Sequence, residues 1–123
     1  PYLQGIVRWF YNQNRDQLYL YIDSQFTAYM RLLDQILTFY NKDPLNEVYA
    51  KMVNKNNELL EGIVPGLHNL RLTYVDSKKI HNKIYSIIIT LKDYYNAILK
   101  IQEENNLTTG DDRRKPRRRL PSF

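Results

Sequence analysis

Cysteine is missing from this 123-residue chain, so neither a disulfide framework nor a thiolate metal site can be built from it. That suits an intracellular or virion setting, and a nuclear one is compatible with the basic segment described below. Glycine is scarce: its four copies, at positions 5, 62, 66 and 110, occur singly, which excludes a glycine-rich phosphate loop. Histidine occurs only as His68 and His81. On one straight helix that offset would hold them about 20 Å apart, too far to share a metal ion. The serines at 24, 77, 86 and 122 lie in no nucleophile-elbow context.

Long apolar runs are absent too. The most apolar stretch, residues 84–91, is interrupted by Ser86 and Thr90 and flanked by lysines, so no membrane-spanning segment is expected. The opening residues lack the basic, apolar, small-residue succession of a secretory signal. Two acidic pairs, Glu103-Glu104 and Asp111-Asp112, fall at a helix end and in a tail, where nothing would desolvate a carboxylate for acid–base work. The expectation is a chain with no catalytic residues, no metal and no cofactor.

What remains is a composition that folds. Hydrophobic residues make up 43% and charged residues 25%, too apolar for a disordered chain and enough for one core. Asn, Ile, Lys and Tyr, whose codons are A/T-rich, together supply 43 of the 123 residues, a bias that suits a large DNA virus, a protist or a low-GC bacterium as the source.

Periodicity predicts an all-α protein, an up-and-down bundle of three or four helices over residues 1–106. From Leu18 through Ile22, Phe26, Tyr29, Leu33, Ile36 and Tyr40, apolar residues recur at steps of three and four, predicting a helix over about 15–41. Ile6, Val7, Phe10 and Tyr11 suggest a shorter helix or a helical extension before it, with Asn12, Asn14 and Asp16 as the expected break. Asp43-Pro44 predicts the next helix start, by side-chain capping and a proline at the first turn. That helix carries Leu45, Val48, Tyr49, Met52, Leu59 and Leu60 and should end near Gly62, before a Pro65-Gly66 turn. The strongest pattern comes last: Ile80, Ile84, Ile87, Leu91, Tyr94, Ile98 and Ile101 form a heptad-like seam. With Leu67, Leu70 and Tyr74 it could make one rod over about 67–104. It could equally break at Asp76-Ser77, where Ser77 is a plausible cap, and the length mismatch with its partners favours a break, a kink or an end projecting for another subunit to cover.

Two groups of residues point to partners. Eleven tyrosines are spread along the helices, and Tyr19/Tyr21 and Tyr94/Tyr95 cannot all face one core, so some should meet another protein. Trp9 with Phe10 must either close the bundle or dock elsewhere. Residues 107–123 form a basic C-terminal tail. Arg113, Arg114, Lys115, Arg117, Arg118 and Arg119, followed by Leu120, Pro121 and Phe123, give the last thirteen residues +4 of the chain's net +5. Such a tail suits an acidic groove on another protein, with Phe123 as an apolar anchor, or nucleic-acid phosphates read without base specificity. The expectation is a non-enzymatic structural subunit of a larger macromolecular assembly, a virion or capsid component among them. The alternative is a nucleic-acid-binding protein acting through the arginines.

Overall fold

A computed structural model of the chain describes residues 2–107, with side chains from Gln4 onward except Phe10; the tail from Arg113 to Phe123 lies outside the described residues. Three helices run up, down and up: α1 (Tyr2–Lys42), α2 (Glu47–Thr73) and α3 (Lys78–Glu104). Among the described residues there is no strand. The all-α bundle read from the periodicity is the fold, with three helices.

α3 lies against both other helices and buries every member of its seam, Ile80 to Ile101, together with Ile88, Tyr95 and Gln102. The β-branched run Ile87-Ile88-Ile89 stays helical because two of its three side chains are buried there. Against the seam pack Leu33, Ile36 and Tyr40 from α1 and Val53, Leu60 and Val64 from α2. Burying each such side chain contributes roughly 2 kcal/mol relative to leaving it in water. Nearer the α2–α3 turn a smaller cluster gathers Ile80, Ile84 and Ile88 beneath Leu18, Leu67, Leu70 and Tyr74. α3 closes at Asn106, whose φ of 54° is the left-handed conformation that asparagine tolerates at helix ends. The Leu107 N–H then donates to the Gln102 carbonyl at 2.7 Å, and Leu107 packs on the core.

Several boundaries differ from expectation. α1 is one helix, without the break expected at Asn12, Asn14 and Asp16. Those side chains are exposed, where each costs only a few tenths of a kcal/mol in helix propensity, and Arg15 among them is pinned to the neighbouring turn. α2 starts later than Pro44, because Asn46 is the cap: its side-chain oxygen accepts from the N–H groups of Val48 (2.9 Å) and Tyr49 (3.4 Å). Asp43 instead accepts from the Asn46 amide at 3.3 Å, bracing the turn. Ser77 occupies the cap position of α3 but makes no side-chain capping bond.

The largest difference is that α2 runs straight through Pro65-Gly66. Val64 and Leu67, on either side, are held in the core, while Pro65 and Gly66 point outward, so packing carries the helix past a local breaker. A Cβ added at Gly66 would meet nothing within 4 Å. Gly66→Ala is therefore expected to raise the unfolding free energy by about 1 kcal/mol, measured by urea titration. The rotation of α2 also differs: Leu45, Val48, Met52 and Leu59 are exposed, and the buried line is Val53, Asn56, Asn57, Leu60 and Val64.

Candidate interaction surfaces

At about 1.5 Å per residue the 41-residue α1 is about 61 Å long, against about 40 Å for the 27 residues of α2 and of α3. The excess lies at its N-terminal end. Tyr11 donates its hydroxyl to Asp76 at 3.0 Å, and Arg15 donates to the same carboxylate at 2.8 Å. The Arg15 guanidinium also lies 3.9 Å from the Tyr11 ring centroid, and a weaker pair joins Lys79 to Asp16 at 3.8 Å. These contacts fix Tyr11 to Asp16 level with the α2–α3 turn, so residues 2–10 run on past it. Each residue from Gln4 to Trp9 is exposed, although Ile6, Val7 and Trp9 are apolar. Gln4, Val7, Arg8 and Tyr11 line an open, almost wholly apolar depression of about 420 Å³.

A second surface runs the length of α1. Val7, Tyr11, Tyr21, Leu32 and Phe39 are between 46% and 63% exposed and fall on one line of alternating four- and three-residue steps. The line passes also through Asn14, Gln25, Ala28 and Gln35, all exposed, and through Leu18, which is half-buried against the smaller core cluster. It thus holds no charge over ten positions in a chain one quarter charged. The flank it occupies is the one towards α2, because Phe39 stacks on Tyr49 with ring centroids 5.7 Å apart. On α2 the exposed Leu45, Val48, Met52 and Leu59 keep the same spacing beside Tyr49. The sequence carried this signal as a second apolar line beside the buried one, and the stronger core pattern obscured it.

The tyrosines expected at an interface separate. Tyr21 is exposed on the uncharged line. Tyr19 is half-buried, with the Lys79 ammonium 4.4 Å from its ring centroid. Tyr94 and Tyr95 are both buried in the core, so they offer no side contact from the bundle. Trp9 is on the projecting end of α1.

Inside the bundle the three helices meet in a polar layer. Tyr29 of α1 donates to the Asn56 side-chain oxygen of α2 at 2.6 Å. The Asn56 nitrogen, the Asn57 oxygen and the Tyr94 hydroxyl are buried without a hydrogen-bond partner in the protein. Burial pushes the Tyr94 phenol up to about 12, opposed by the nearby Asn56 amide and assisted by Tyr29. Burial likewise raises Tyr29, against its bond to Asn56, and raises Tyr40, against Gln102.

The histidines are not on one straight helix, since the turn folds α3 back along α2. Both converge on Arg71: its guanidinium lies 3.2 Å from His68 Nδ1, and its carbonyl lies 3.1 Å from His81 Nδ1. Among the described residues no three His, Cys, Asp or Glu side chains gather where a metal ion could be held. No helix among them is long and apolar enough to cross a membrane. What the fold and surface define is a three-helix bundle with one overlong helix and an uncovered apolar flank. No protein-family model, curated protein or solved structure matches the chain.

Proposed function

We propose that this chain is a non-enzymatic interaction protein, a small helical subunit of a larger macromolecular assembly. The observation that carries the reading is the projecting end of α1. A free helix of about a dozen residues is marginal in water, and one with apolar residues around its circumference is normally buried. The described side chains of this end, Gln4 to Trp9, are all exposed, and among them Ile6, Val7 and Trp9 present apolar surface to solvent. A surface of that kind is completed by another macromolecule. The basic segment from Arg113 to Arg119, ahead of Phe123, adds a sequence suited to an anionic neighbour, in a virion, a nucleus or another compartment.

The test uses the tagged full-length chain in an extract of its own source cells, sized by native gel filtration. Elution well above the size of two chains is expected. Val7→Asp combined with Trp9→Asp should return the chain to the size of a bundle while its thermal unfolding in purified form is unchanged. An unmodified chain eluting no larger than two copies sinks the assembly reading. The nucleic-acid alternative has its own signature: binding to a generic duplex that falls steeply between 50 and 300 mM salt and disappears in a chain ending at Gly110.

A further inference from the structure

We infer that the uncharged flank of α1 is covered by α1 of a second copy of this chain, lying antiparallel to it. This rests on the assembly reading above and names one partner within it. The ten-position line from Val7 to Phe39 has its midpoint level with Asp23. Two copies related by a two-fold axis there would set Val7 opposite Phe39, Tyr11 opposite Gln35, Asn14 opposite Leu32, Leu18 opposite Ala28 and Tyr21 opposite Gln25.

Three features of that pairing come from the residues themselves. Large faces small or slender at the aromatic layers: tyrosine meets glutamine twice, and leucine meets alanine, the alternation by which facing layers interdigitate. Both glutamines land on tyrosines, so their amides find a hydroxyl instead of a buried hydrocarbon. Tyr11 already donates to Asp76, and its oxygen can still accept from the Gln35 amide. In the parallel arrangement each residue would meet itself, which sets Tyr11 on Tyr11 and Phe39 on Phe39 and leaves a gap where Ala28 faces Ala28. Antiparallel pairing also carries each projecting end of α1 over the other copy's α1–α2 turn, where Phe39, Leu45, Val48 and Met52 are exposed.

The extent is adequate. The line is about 48 Å long. With its flanking positions and the exposed side chains of α2 it engages roughly twenty residues on each copy, the number that buries roughly 800 Å² per partner in a stable complex. The two-fold is isologous, so the assembly closes at two chains and leaves the opposite face of each bundle for further neighbours.

The absence of native cysteine makes the register directly testable. In the purified full-length chain, Val7→Cys and Phe39→Cys on one molecule lie about 48 Å apart along α1, too far for an internal disulfide. Under mild oxidation the double variant is expected to run as a covalent dimer, while either single variant stays monomeric on a non-reducing gel. Asn14→Cys with Leu32→Cys, about 27 Å apart on one molecule and opposite each other in the same register, should behave in the same way and guards against local damage at Phe39. Sedimentation of the unmodified chain should give twice the single-chain mass, with Tyr21→Asp weakening the association at least tenfold. Cross-linking by Val7→Cys alone overturns the antiparallel register. Single-chain mass at all concentrations up to several hundred micromolar, with no cross-link from either pair, overturns self-pairing. If that same chain still elutes in a large complex from its source-cell extract, the assembly reading stands without it.

Discussion

Leu91→Ala should lower the unfolding free energy by about 3 kcal/mol, read as a fall in the urea midpoint with little change in slope. Leu91 is 1% exposed at the centre of α3, among Leu33 and Ile36 of α1 and Val53 and Leu60 of α2. Truncation removes buried methyl groups and leaves a void lined from three helices, and the collapse of any one of them into the space would disturb the other two. The contrast that gives the value meaning is Leu45→Ala. Leu45 is 74% exposed, so the same chemical change there should cost less than about 0.5 kcal/mol. Equal losses at the two positions would contradict the burial of Leu91 and the exposure of Leu45.

The second large effect is alkaline. An unfolded tyrosine titrates near 10.0, whereas burial holds Tyr94 up at about 12 in the folded chain. Between those values the unfolded state sheds a proton that the folded state keeps, so stability falls as pH rises across this window, and below 10 the term is constant. For Tyr94 alone the loss is on the order of 2 kcal/mol by pH 12. Tyr29 and Tyr40 shift in the same direction and steepen it. Tyr94→Phe should flatten the profile, measured as unfolding free energy from pH 8 to 12. At neutral pH the substitution should be close to neutral or stabilising, because the hydroxyl it removes is buried beside Asn56 without a well-formed hydrogen bond among the described residues. A profile unchanged by Tyr94→Phe would mean that the ring is not held in the core.

What could be read from the sequence followed the strength of each local signal. The α3 seam was legible residue by residue because isoleucine and leucine at steps of three and four have only one helical face to bury. The turn at Asp76-Ser77 was legible only as one of two readings, since an overlong rod could also have kinked or projected past its partners. α2 was not legible past Gly62, because a proline speaks for its own peptide group while Val64 and Leu67 answer to α3. Its rotation was hidden for a related reason: Asn56 and Asn57 read as surface residues, and only their meeting with Tyr29 and Tyr94 places them inside. Tyr94 and Tyr95 were misjudged because adjacent residues were assumed to diverge from one core, although α3, flanked by two helices, has a buried arc wide enough for both. Of the residues the sequence offered for a surface, Tyr21 and Trp9 are exposed, whereas the line through Leu32 and Phe39 was not anticipated.

Asp76 gathers Tyr11 and Arg15 at the one point where α1 leaves the bundle. Mechanically it is a fulcrum. A pull on residues 2–10 is delivered to the α2–α3 turn through two side-chain bonds to one carboxylate before any core contact is strained. The turn between α2 and α3 is thus the first part of the bundle to feel that pull.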